Sequence, residues 1–231
     1  MKRIFLLSKK NIIENKWFWI LSIFYFALRL INLTKLPVFN DESIYLDWGY
    51  REIHNPGFLY YSLYDAKQPL LMWIFGIFES FFYNPLFGGR LVSVITGFIT
   101  FAGIYKLSKY LFSKQIGLIG IFTYSVIPVF SFFDRQALME SSIAAVGIWS
   151  GYFFLKNLNA YKSKSAIILG IILGLGFFIK STSLIFLFSY LFLSFILLFI
   201  SRNKASGRRK FNEDAVYKVF EKYGFKIVFP D

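Results

Sequence analysis

The sequence contains no cysteine, a single histidine, and 13 acidic residues against 26 lysines and arginines. The missing thiols exclude disulfides and thiolate metal sites, and they leave the redox compartment unspecified. With His54 as the sole imidazole, a zinc site of the usual Cys/His kind has no ligand set to draw on. The shortage of acids leaves a formal net charge of +13. In a soluble chain such a surplus points to nucleic acid; here the charges interleave with apolar runs, and placing them along those runs argues against a nucleic-acid partner. A secretory leader is also lacking: the basic start "MKRIFLLSKKNIIENK" has an apolar core of only four residues, 4–7.

What the chain does have is apolar length. It is 56% hydrophobic with 31 phenylalanines, and its mean hydropathy is +0.54. A membrane span needs roughly 20 predominantly apolar residues. Stretches 17–33 (interrupted by Arg29), 88–110, 115–133, 137–155 and 181–201 meet that need or come close. Stretch 165–179 is shorter, but Lys164 and Lys180 flank it and can snorkel. Stretch 69–84 is apolar with Glu79 near its middle, and either a short span or an interfacial helix would explain it.

Charge placement decides that case. With 69–84 interfacial, the basic clusters at Lys2–Lys16, Lys106–Lys114, Lys156–Lys164 and Arg202–Lys210 all fall on one side, as cytoplasmic segments do. The acids Asp41, Glu42, Asp47, Glu52, Asp65, Glu79, Asp134 and Glu140 then fall outside. The expected fold is all-α and integral to the cell membrane: about six transmembrane helices, with two interfacial juxtamembrane helices in the first extracytoplasmic loop. Residues 1–16 form a cytoplasmic N-terminus and 17–201 the membrane domain. Residues 202–231 form a basic polar tail, read as the remnant of a further domain or as an abrupt junction.

The first outer loop opens on "LPVFNDESIYLDWGY", with three carboxylates in seven residues. Lys67, Asp134, Arg135, Glu140 and Lys180 come to the same face from other segments, and ionisable groups at a membrane boundary point to a site. Each also has a plain structural explanation. Asn40 can cap a helix whose first turn holds Asp41 and Glu42. Asp41, Tyr45, Trp48 and Glu52 share one helical stripe suited to lying on a membrane. Lys180 can be a snorkelling span end, Asp134–Arg135 a solvated surface pair, and His54 a loop residue.

Five stretches, in order, resemble a known family. They are "FNDESIYLDWGYRE", "YDAKQPLLMWIFGIFESFF", "GGRLVSVITGFITFAGIYKLSKYLF", "FFDRQALMESSIAAV" and "LGIILGLGFFIKSTSLIFL". Together they are similar to the GT-C membrane glycosyltransferases, in the branch of the protein O-mannosyltransferases and the lipid A aminoarabinose transferase. Relatives usually continue through several more spans, so the chain resembles the N-terminal portion of such an enzyme.

The resemblance implies transfer of a sugar from a polyprenyl-phosphate-linked donor to an acceptor hydroxyl outside the membrane. Asp41 matches the first-loop acid, the expected general base, with Glu42 assisting or orienting and Glu140 orienting acceptor or sugar. Lys67 matches the lysine of the family's juxtamembrane segment; with Arg135 and Lys180 it would face the donor phosphate. A divalent cation is left open, since Asp41, Glu42 and Glu140 are oxygen ligands. Membrane lipids are the other expected partner. A transporter would show internal repeats and interrupted spans, and none is evident. A non-catalytic scaffold or partner subunit is the main alternative class; it would be indifferent to loss of Asp41 or Lys67.

Overall fold

The computed structural model describes residues 16–159 and 163–205. The basic start and most of the polar tail lie outside the described residues. Within them the chain forms nine α-helices and four 3-10 turns. We label the helices α1 (Lys16–Leu30), α2 (Asn40–His54), α3 (Leu70–Phe81), α4 (Pro85–Leu111), α5 (Lys114–Val126), α6 (Pro128–Asp134), α7 (Glu140–Asn159), α8 (Ser163–Ile179) and α9 (Leu184–Ala205).

Local chemistry sets several boundaries. Asn84 accepts the Phe87 N–H, and Pro85 occupies the first turn of α4, where its missing N–H costs nothing. Ser113 caps α5 through the Ile116 N–H at 3.3 Å. Pro128 ends α5 by holding Ile127 extended at φ −67°, ψ 123°, so α6 departs at 71° to α5.

Each of the six long apolar stretches folds as helix, the third as the broken pair α5–α6. Among the described residues, length and composition mark three helices as able to cross a membrane, or four if the bent pair counts as one. That is fewer than the sequence reading expects. α8 has 17 residues, and α7 carries Glu140, Lys156 and several serines. At 12 residues, α3 reaches about 18 Å, well short of a bilayer core.

α4 is the central post, packed by α3, α5 and α7. Two apolar clusters form along it. One gathers Tyr25, Val94, Phe101, Ile121 and Tyr124 between α1, α4 and α5. The other gathers Tyr45, Leu71, Met72, Phe75, Val92, Leu138 and Met139, with Ile179 against it. This second cluster brings α2, α3, the start of α7 and the end of α8 to one place.

α2 and α3 meet backbone to backbone. A Cβ added at Gly76 would collide with the Gly49 carbonyl, and one at Gly49 would lie 2.7 Å from the Met72 oxygen. Of the stripe expected to lie on the membrane, Tyr45 and Glu52 are instead buried, with Glu42 and Gly49, on α2's packed face, while Asp41 is exposed and Trp48 half-buried. The helix also starts one residue early, with Phe39 rather than Asn40 at the cap. His54 is the last helical residue rather than a loop residue, its ring stacked on Tyr50 at 4.3 Å.

Asp134 is a further correction. It is not half of a solvated pair: it is 1% exposed and accepts from Arg29 Nε and Tyr25 Oη at 3.2 Å, and from Tyr124 Oη and Ser141 Oγ at 2.8 Å. Arg29, the one interruption of the first apolar stretch, is thereby neutralised inside the bundle.

Glu79 lies on α3 without such help. It is 5% exposed, and its Oε1 has no hydrogen-bond partner. Burial, aided by the charge of Asp47, pushes its carboxyl up to about 8. Between about 4.5 and 8 the folded chain holds a proton that the unfolded chain has released, so stability falls as pH rises through that window. Thermal unfolding in detergent should show a Tm that declines from about pH 5 to about pH 8 and a flatter profile for Glu79→Gln. Gly76→Val should lower stability by about 1–3 kcal/mol at any pH in the same assay, through overpacking.

Candidate functional site

Two adjacent carboxylates open α2 and meet opposite fates. Glu42 is fully buried and pairs with Arg90 through two parallel bonds, Nε to Oε1 and Nη2 to Oε2, each 2.7 Å. Oε1 also accepts the Ala137 N–H at 2.7 Å, and Oε2 the Phe39 N–H at 3.3 Å. No lone pair is left for a substrate proton. Glu42 therefore holds the fold together and has no free acceptor, whereas its neighbour has all of its own.

Arg90 extends the same knot. Its remaining N–H groups donate to the carbonyls of Leu33, Leu36 and Pro37 and to Gln136 Oε1, at 2.8–3.2 Å. One guanidinium thus ties α4 to the loop entering α2 and to the segment entering α7.

Asp41 is exposed, and among the described residues it has no hydrogen bond or ion pair. Its charge, with those of Glu140 and Asp65, acts on the buried phenol of Tyr45. Burial first and these three carboxylates second push that group up to about 12. Asp41, Asp65 and Glu140, far apart along the chain, therefore all lie within electrostatic reach of Tyr45. Beneath them lies the apolar cluster of Leu71, Met72, Leu138 and Met139.

Two cations join this rim. Lys180 follows Ile179, which packs on the cluster, and its Nζ donates to Glu140 Oε1 at 2.9 Å. Lys67 immediately precedes the α3 segment that supplies Leu71 and Met72. It is half-buried and makes no ion pair among the described residues. Its placement is built from both sides. Glu52 Oε1 accepts the Ser62 N–H at 2.7 Å, and the Lys67 N–H donates to the Ser62 carbonyl at 3.1 Å. Ala66 between them is held left-handed at φ 56°, a conformation that favours glycine.

Glu140 and Lys180 are thus paired, Asp41 lies within electrostatic reach of Tyr45 in the same cluster, and Lys67 stands three residues before α3, which supplies Leu71 and Met72 to it. Arg135, expected beside them, is turned the other way: its Nη2 donates to the carbonyls of Ile31 and Asn32 at the end of α1, each at 2.9 Å. Among the described residues no group of three His, Asp or Glu side chains is arranged to hold a metal ion. Glu42, one of the three oxygen ligands considered from the sequence, is consumed by Arg90.

Sequence reasoning missed Arg90, Arg29, Glu52 and Asp65. A signal for the first two was present: an arginine at the edge of an apolar run needs a buried acceptor. Glu42 and Asp134 are those acceptors.

Breaking the Glu42–Arg90 knot from one side should be costly. Arg90→Met and Glu42→Leu, each alone, leave a buried charge unpaired and should lower unfolding stability by about 3–5 kcal/mol. The Glu42→Leu/Arg90→Met double variant should recover part of that loss, as read from a double-mutant cycle of denaturant unfolding in detergent.

The model of the dolichyl-phosphate-mannose-protein mannosyltransferase family matches residues 66–216. That match covers well over half of the chain, and it includes Lys67, Arg90, Glu140 and Lys180 but not the Asp41–Glu42 doublet. No curated protein and no solved structure matches the chain. The ordered helices, the carboxylate–lysine rim and the family match agree: this chain belongs to the dolichyl-phosphate-mannose-protein mannosyltransferase family, a family of membrane glycosyltransferases.

Proposed function

We propose that this chain transfers a sugar from a polyprenyl-phosphate-linked donor to an acceptor hydroxyl on the extracytoplasmic face of the cell membrane. The observation that carries the reading is one carboxylate, Asp41, and one ammonium, Lys67, each without an ion pair among the described residues, set on α2 and just before α3, two helices that share an apolar cluster. Glycosyl transfer from a phosphate ester needs a base at the acceptor and a cation at the leaving group.

The step divides among the residues as follows. The acceptor oxygen attacks the anomeric carbon, and its proton passes to the Asp41 carboxylate. The bond from that carbon to the phosphate oxygen breaks with inversion, and the electron pair leaves on the phosphate. Lys67 and Lys180 meet the growing negative charge beside a water-poor floor, where fixed cations act strongly. Lys180 can do so without leaving Glu140, because an ammonium has three donors and Glu140 occupies one. Glu140 in this scheme aims Lys180 and borders the acceptor. The bias of basic clusters supports about six spans and a cytoplasmic N-terminus.

Transfer can be assayed with membranes holding the full chain, a synthetic polyprenyl-phosphate sugar and a hydroxyl acceptor. Asp41→Asn and Lys67→Ala should each lower kcat by about 100-fold or more, with Tm unchanged. Wild-type rates in either variant would overturn the assignment. The absence of native cysteine makes topology directly readable. Lys67→Cys and Glu140→Cys should both react from outside intact cells with a membrane-impermeant maleimide, and labelling from opposite sides would refute the arrangement.

A further inference from the structure

The bend between α5 and α6 opens a groove that the sugar-transfer rim does not use. The groove is about 610 Å³ in volume and lies between this bend and α1. Phe24, Leu28, Val126, Pro128 and Phe132 form its walls, and Arg135 is the one charged residue lining it. Leu28, Val126 and Phe132 are themselves exposed, so the trough opens on the outer surface of the bundle.

Arg135 is poised there. Its Nη2 is fixed by two carbonyls at the end of α1, while its buried Nε has no acceptor. No carboxylate is available to it: Asp134 is taken by Arg29 and Glu42 by Arg90. Both neighbouring pairs are electrically neutral, so Arg135 leaves one uncompensated positive charge at the mouth of an apolar trough. Such a charge at the end of a helical span sits at the depth of lipid phosphates. The sugar-transfer rim lies across residues 136–139, all of them buried. A single phosphate cannot serve both places.

We propose that this groove binds an anionic glycerophospholipid of the surrounding bilayer. Its phosphodiester sits on the free N–H groups of Arg135, and one acyl chain lies along Phe24, Leu28, Val126 and Phe132. The lipid lies along α1 and α6 beside the proline break.

The test is native mass spectrometry of the full chain after delipidation in detergent, with added phosphatidylglycerol, phosphatidylcholine or a long-chain polyprenyl phosphate. One phosphatidylglycerol per chain should be retained in preference to phosphatidylcholine. Arg135→Gln should lower that retention by about tenfold, the effect of losing a charge-assisted bond. Ser131→Trp, which fills the trough, should lower retention of both glycerophospholipids; it keeps the test alive if Arg135→Gln does not fold. Equal retention of the two phospholipids, or full phosphatidylglycerol retention in a folded Arg135→Gln or Ser131→Trp chain, overturns the proposal. So does displacement of phosphatidylglycerol by polyprenyl phosphate in an Arg135-dependent manner, which would assign the groove to the donor.

Discussion

The Glu42–Arg90 pair is the constraint on which the rest of this end of the bundle depends. Two charges removed from water are tolerable only when their geometry is close and their remaining valences are met. Here both conditions hold, with two 2.7 Å bonds between the side chains and backbone partners for what is left. The pair fixes where α2 begins, how the loop from α1 reaches it and where the segment before α7 passes. The first of those elements carries Asp41, and the last leads directly into Glu140.

Function then follows from a division of labour between neighbours. Glu42 spends all of its acceptor capacity on the fold, which leaves Asp41, one residue earlier, facing outward with none of its capacity used. The same contrast recurs among the cations. Arg90 is saturated, Lys180 is shared with one acid, and Lys67 is unpaired among the described residues. Reactive groups are those that the architecture has not already satisfied.

Much of this was legible in the sequence, and the exceptions share a cause. Apolar runs located the long helices because a helix satisfies its own backbone in a stretch that needs no partner. The break at Pro128 falls inside a run that reads as one span, since composition alone does not register a bend. Asp41, Lys67, Glu140 and Lys180 were named from motif resemblance; the structure pairs Glu140 with Lys180 and sets Asp41 on α2 and Lys67 just before α3, the two helices that cross at Gly49 and Gly76. Glu42 and Asp134 were misjudged because their partners lie 48 and 105 residues away. An acid that caps a helix and an acid that neutralises a buried arginine look alike until tertiary contacts are known. Arg135 was grouped with the wrong neighbours for the same reason: its adjacency to Asp134 in sequence says nothing about which way it turns.

The glycine crossing of α2 and α3 has a mechanical consequence. With no side chains interposed, neither helix can slide or roll against the other without a collision of main chains. In the proposed scheme the base stands in the first turn of one helix and the ammonium three residues before the other, so the joint that carries both is a rigid one, set by peptide geometry rather than by side chains that can repack.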